Sequence, residues 1–363
     1  MEKKYADLLL RYCLEIRKGD RLFVHSTFLA EPLLREIYRL GTRLGALVEI
    51  DLDLEEQSRI FFEESGEELL QMVSPVQELR FSHYEKYLKI LAPYNLSEDK
   101  SIDGDKLKLR REATKHINAL YFQRTADGSM DRCLCQYPTN ASAQAAEMSL
   151  EEYRRFVFDA CRLYDDDPIQ SWLKVREEQQ EITDLLNRAG HIRYEGPHID
   201  IEFSCKDRIW INSDGRANMP SGEIFTAPVD DSVQGEVYFT YPAIYRGQEV
   251  AGISLTFKDG YIVDWSAEKG QSVLDEVFQI EGARRLGEAA IGNNYNIQQM
   301  TKNILFDEKI GGTIHLAVGQ AYLQNNGTNQ SSIHWDMITD MSEDSRIVAD
   351  GKTIYENGHF ISH

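Results

Sequence analysis

The alternation near the start of the chain restricts its fold more than any other feature. Arg21 to His25 (RLFVH) is a short apolar run of strand character. Leu33, Leu34, Ile37, Tyr38 and Leu44 then recur at helical spacing, with Pro32 in the first turn and Gly45 as the stop. Ala46 to Ile50 (ALVEI) is a second strand-like run. Strand, helix and strand in such close succession predict a parallel pair joined by a right-handed crossover. An earlier helix is expected from the spacing of Leu8, Leu9, Tyr12, Cys13 and Ile16, ending at Lys18-Gly19-Asp20. Further helical segments are expected near Gly66–Met72 and Tyr84–Tyr87, and from Ser149 to Leu163, where Ser149-Leu150-Glu151-Glu152 resembles a capping box.

After the acidic run Tyr164 to Ile169, a charged helix is expected from about Trp172 to Arg188, closing at Ala189-Gly190. Beyond it the periodicity changes to two. His198 to Phe203, Gly235 to Thr240, Gly252 to Phe257 and Tyr261 to Trp265 read as strands, linked by turns such as Lys258-Asp259-Gly260. A length of 363 residues suits two domains. The expectation is an open α/β domain with a parallel sheet over 1–190 and an α+β domain with largely antiparallel sheet over 191–363.

Charge narrows the function. Lys and Arg number 40 against 60 Asp and Glu, a formal net charge of -20, which repels nucleic-acid phosphates and anionic membrane surfaces. The first residues lack the basic start and apolar run of a signal peptide, and no stretch of about 18 apolar residues is available to span a membrane. The five cysteines are scattered, and Cys133 and Cys135 form neither a zinc-knuckle pair nor a redox pair. They read as reduced thiols of a cytoplasmic protein. The glycine-rich phosphate loops, H-E-x-x-H and G-x-S-x-G are all absent.

Metal-ligating residue types concentrate instead in the last third. His315 lies in a strand-like stretch closing at Gly319, and His334 and Asp336 bracket Trp335. Residues two apart on a strand share a face, so that imidazole and carboxylate converge, although H-x-D alone also suits a core histidine bonded to its neighbour. Glu223 and Glu288 each follow a glycine in apolar company, where an unpaired carboxylate is costly. The bland alternatives are a loop acid and a solvated helix acid. Arg284 and Arg285 are expected to pair with acids near Glu288. His25, His83, His116, His191, His198, His359 and His363 read as structural or solvated residues.

Longer strings carry more. NMPSGEIFTAP (218–228), GARRLGEAAIGN (282–293), LFDEKIGGTIHLAVG (305–319) and SIHWDMITD (332–340), in that order, closely resemble the aminopeptidase T family of metallo-aminopeptidases. The likeness extends to CLEIRKGDRLFV (13–24) and YPTNASAQAAEMSLEE (137–152). It implies metal ligation by Glu223, a bridging Glu288, His315, His334 and Asp336, with Glu308 a further acidic position that acts as ligand or proton-transferring base. Tyr322 matches the family's tyrosine, a ligand or an oxyanion stabiliser, and is paired here with Glu288 as a catalytic residue.

Carboxylate and imidazole donors suit Zn, Co, Mn or Mg. Two such cations about 3.5–4 Å apart would activate a water for attack on the first peptide bond. The resemblance further implies an elongated homodimer acting on short peptides with a free N-terminus. Another two-metal hydrolase, an amidase or a phosphoesterase, and a non-catalytic metal-retaining dimeric scaffold are the competing readings.

Overall fold

A computed structural model of the chain describes residues 1–361; His363 lies outside the described residues. The chain divides into two compact units, Met1–Ile169 with Gly215–Pro220, and Gln170–Asp214 with the remainder from Ser221. The division falls between Ile169 and Gln170, in the first turn of the charged helix Pro168–Leu186, whereas the sequence reading puts it after that helix at 190. Gln179, Thr183 and Leu186 of that helix are buried, and Leu186 belongs to the second unit's apolar cluster.

The first unit is built on a parallel sheet. Its order is Leu47–Asp53, Arg21–Thr27, Lys86–Leu91, Asp131–Gln136 and the short Asn218–Met219. Each neighbouring pair runs parallel. The helix Glu31–Leu44 joins the first two strands, as its spacing predicts, and buries Leu33, Leu34 and Ile37 while Tyr38 faces solvent. Tyr84–Tyr87 is not helical. The preceding helix stops at His83 and Lys86 opens a strand paired on both sides, whose Tyr87, Leu88 and Ile90 are all buried. A central parallel strand covered on both faces lacks the alternation that would mark it. The helix Leu150–Ala160 begins with the expected capping box, Ser149 and Glu152 each bonding the other's backbone N–H. His25 sits at the end of its strand in an ion network, its Nε2 2.9 Å from Asp53 and its Nδ1 2.9 Å from Lys89 Nζ.

The second unit carries two large antiparallel sheets and a two-stranded ribbon, Ala243–Tyr245 with Gln248–Val250. One large sheet has eight strands and runs from Tyr261–Ser266 to His359–Phe360. The other has five, ordered His334–Asp340, Thr313–Gly319, Leu286–Gly292, Glu223–Thr226 and Ile211–Ser213. One apolar cluster joins them: Tyr194, Phe203 and Phe239 from the first meet Ile224, Ile291, Leu316 and Met337 from the second. Among the described residues no helix is long and apolar enough to cross a membrane.

Gln179 ties the helix to the edge of the smaller sheet. Its side chain is 0% exposed, and its Nε2 donates to Asn212 Oδ1 at 2.7 Å and towards the carbonyls of Ser213 and Glu223 at 3.3 Å. Replacing it with Leu keeps the volume but strands buried acceptors, each worth about 1–3 kcal/mol. Gln179→Leu is therefore expected to lower unfolding free energy by about that amount in urea titration.

Candidate metal centre

The five-stranded sheet sorts its side chains by face. Ala290 lies opposite His315, Glu288 opposite Ala317, Ala317 opposite Asp336, Gly319 opposite His334, and Gly292 opposite Glu223. Directly paired residues point the same way, so Glu223, Glu288, His315, His334 and Asp336 share one face. The intervening residues Ile224, Ala289, Ile291, Ile314, Leu316, Trp335 and Met337 fill the core on the other. Between the polar side chains this face carries Ala290, Ala317, Gly292 and Gly319, which leave room for the longer groups to converge.

Two glycines aim the acids. Gly287 occupies a register shift between Leu286 and Glu288, and a Cβ there would stand 2.3 Å from the Gln320 carbonyl oxygen. The extra residue turns Glu288 onto the polar face, as bulges beside functional sites do. Gly222, immediately before Glu223, has φ +107° and would bring a Cβ to 2.9 Å from that of Asn294. Only glycine adopts this conformation without strain. Ser221, beside it, is fully buried and bonds Ser213 through its hydroxyl, which makes it a structural residue.

Two ligand groups result. Glu223, Glu308 and His315 offer donor atoms all within 4.8 Å of one another, and so do Glu288, His334 and Asp336. Glu288 links them: its Oε1 lies 3.1 Å from His315 Nε2 and its Oε2 3.4 Å from His334 Nε2. Asp336 Oδ1 is also 3.4 Å from His334 Nε2. His334 Nδ1 donates to the Gln320 carbonyl at 2.7 Å, which orients the ring and turns Nε2 towards the carboxylates. Glu308 follows the short helix Ile304–Asp307 rather than standing on a strand. Tyr322, 44% exposed, places its ring 4.9 Å from that of His334.

Lys309 was not singled out from the sequence. It is 0% exposed, pairs directly with Glu308 and lies 3.6 Å from Glu223 Oε1. A lysine adjacent to an acid inside an otherwise apolar string is the only signal that could have marked it. Arg284 and Arg285 do not pair with acids near Glu288. Arg284 donates to the Ile262 carbonyl at 2.8 Å and lies over Trp265, whereas Arg285 bonds the Asp230 carbonyl and lies over Tyr261. Both face the larger sheet, since Tyr261, Ile262 and Trp265 belong to its edge strand.

The electrostatics are those of an acidic cluster. Burial opposes the charge of His315, but Glu288, with Glu223 and Asp336 behind it, raises the ring to about 9. His334 is likewise raised against burial by Asp336 and Glu288. Burial, reinforced by Glu223 and Asp336 and opposed by Lys309, pushes Glu308 up to about 8. Asp336 is held at about 2, burial being outweighed by His334, His315 and Lys309. Glu288 is lowered for the same reason, burial being outweighed by His315 and His334.

The donor set fits a divalent cation. Glu223 Oε2 and His315 Nδ1 are buried without a hydrogen-bond partner among the described residues. A buried carboxylate oxygen with no donor is costly, and cation ligation removes that cost. Hard oxygens with imidazole nitrogen suit Zn, Co, Mn or Mg.

A family model described as thermophilic metalloprotease (M29) matches residues 1–360. "Aminopeptidase 2" of Geobacillus stearothermophilus is 30% identical, the match covering 98% of this chain and 97% of its own. "Aminopeptidase AmpS" of Bacillus subtilis is 28% identical over the same shares. The solved structure of wild-type AmpT from Thermus thermophilus superposes with a TM-score of 0.85, at 23% identity and covering 99% of each chain, which shows the fold.

Two outcomes are expected. Glu308 and His315 hold protons above their unfolded values of about 4.3 and 6.5. The stability linked to those protons is complete below these unfolded values and is lost as pH climbs through about 8 for Glu308 and about 9 for His315. The urea midpoint of chelator-treated protein should therefore fall between about pH 5 and pH 9, and cation binding near pH 7 should release protons measurable by calorimetry in buffers of different ionisation enthalpy. Separately, Lys309→Met breaks a buried ion cluster, which typically costs about 3–5 kcal/mol. That loss should appear in chelator-treated protein and shrink when a divalent cation is supplied.

Proposed function

The chain belongs to the thermophilic metalloprotease (M29) family, and from that membership and the polar sheet face we propose a two-metal aminopeptidase that removes N-terminal residues from short peptides. The observation that carries this reading is the placement of Glu288, with one carboxylate oxygen turned to each imidazole and a group of three ligands on either side.

In this reading Glu223, Glu308 and His315 would hold one cation and Glu288, His334 and Asp336 a second. Bound cations supply Lewis acidity towards the peptide carbonyl and lower the pKa of water. The side chains do the rest. The hydrogen bond from His334 to Gln320 fixes the ring against rotation. Tyr322, half exposed beside His334, is positioned to donate to the oxyanion that develops on the attacked carbonyl. The excess of carboxylates attracts the α-ammonium of an unblocked peptide. We further infer a cytoplasmic homodimer; the five cysteines are buried and none is in a disulfide among the described residues, in keeping with a reducing compartment.

Protein loaded with Zn, Co, Mn or Mg should release free amino acids from unblocked dipeptides and leave their N-acetylated counterparts intact. It should bind two equivalents of cation and lose activity to a chelator. Tyr322→Phe is expected to lower kcat about a hundredfold with little change in KM. Equal turnover of N-acetylated peptides, or turnover of phosphoesters alone, would contradict the reading.

A further inference from the structure

A small cavity of about 140 Å³ opens beside the second ligand group and shares His334 and Asp336 with it. Its back wall is Ile338, which is opposite His315 and therefore on the same sheet face as the ligands, two residues beyond Asp336. Pro242–Ile244, Met300, Ile304 and Trp335 also line it, together with Lys302 and Asp307. The stretch before Ala243 is held along this strand, where the Tyr241 N–H donates to the Ile338 carbonyl at 3.3 Å.

We propose that this cavity receives the side chain of the substrate's N-terminal residue and selects aliphatic and single-ring aromatic side chains. The inference rests on the aminopeptidase reading above. When the first peptide carbonyl lies at the ligand face, the Cα next to it is only a bond away, so its side chain must enter the space adjoining the ligands. This cavity adjoins them through His334 and Asp336. A cavity of about 150 Å³ has room for a benzene ring, so this space has the volume for a leucine, methionine or phenylalanine side chain but not an indole, and its apolar walls Ala243, Met300, Ile304 and Ile338 are there to meet it.

The polar groups of the cavity do not favour a basic side chain. Asp307, 2% exposed, accepts the Thr301 N–H at 2.7 Å and the Thr301 hydroxyl at 2.9 Å, and the backbone of Lys302 and Asn303 also engages it. Lys302 also lines the space, its Nζ 3.7 Å from Glu249. A lysine or arginine side chain would meet a like charge and a carboxylate already occupied.

The test compares kcat/KM for dipeptides beginning with Leu, Phe, Ala, Lys and Trp in the metal-loaded wild type and two variants. Binding of free L-leucine and L-alanine is measured alongside by calorimetry. Wild type should prefer Leu and Phe to Ala, Lys and Trp by at least about tenfold, since single methylenes in such pockets are worth about 10–200-fold. Ala243→Leu fills the space and should lower the Leu/Ala ratio, in turnover and in affinity, by about tenfold or more. Met300→Ala enlarges it and should raise the Trp/Leu ratio several-fold; it decides the matter alone if Ala243→Leu does not fold. A preference for Lys, or ratios unmoved in variants that bind wild-type metal, overturns the cavity assignment and leaves the aminopeptidase reading standing. Absence of any peptide hydrolysis by wild type overturns both.

Discussion

Three carboxylates on one sheet face, those of Glu223, Glu288 and Asp336, are joined by that of Glu308 from a helix end, against the ammonium of Lys309 and two imidazoles. Like charges so close repel strongly where water is scarce, and an apolar core beneath them offers no relief. Every nearby feature of the second unit answers that problem. Lys309 is drawn fully inside to sit between Glu308 and Glu223, a position a lysine occupies only when paired. The two histidines hold protons well above the usual range because the acids surround them. Protons and Lys309 offset part of the repulsion in the free protein. A divalent cation held by the same side chains would offset it more fully and displace those protons.

The sheet makes the gathering geometrically possible. Antiparallel pairing puts residues from adjacent strands side by side, and alternation gives the acids one face and Ile291, Leu316 and Met337 the other. A ligand set drawn from strands and one helix end is more rigid than one drawn from loops alone, and rigidity matters where ligand positions must be held closely. The bulge at Gly287 and the positive φ of Gly222 are deviations from regular sheet, each directly before a ligand. They show regular pairing giving way where an acid had to be aimed.

Much of this was legible in the sequence, and for definite reasons. The parallel first unit was visible because Glu31–Leu44 has a one-sided apolar face between two strand-like runs. The strands of the second unit were visible where one face meets solvent, as in Ile253–Lys258. The helix Gly104–Ala126 was not seen, because it buries only Ile117 and carries no apolar stripe. Lys86–Leu91 was misread at its start because burial on both sides erased its alternation. The site strings are recognisable as residue types, but their convergence is not. Spacing alone leaves Glu288 open to a solvated helix acid, and only the family resemblance makes it a ligand; its register opposite Ala317 puts it on the polar face. The pairing of Lys309 and the cavity wall at Ile338 depend on contacts between distant segments, which spacing does not encode.

The sign of the local charge bears on which substrate suits the face. A phosphoester brings its own negative charge to a surface already holding four carboxylates, with Lys309 buried beneath Glu308 rather than presented to an incoming anion. A peptide with a free terminus brings a positive charge to the same place and a neutral carbonyl behind it. The chain's net charge of -20 extends that bias beyond the site and slows the approach of anions. Retaining so many partly compensated acids in a core also costs folding stability, a burden that a scaffold without turnover would have no reason to carry. The electrostatics of the face and the proposed adjoining cavity thus favour the same substrate, an unblocked peptide whose first side chain is uncharged.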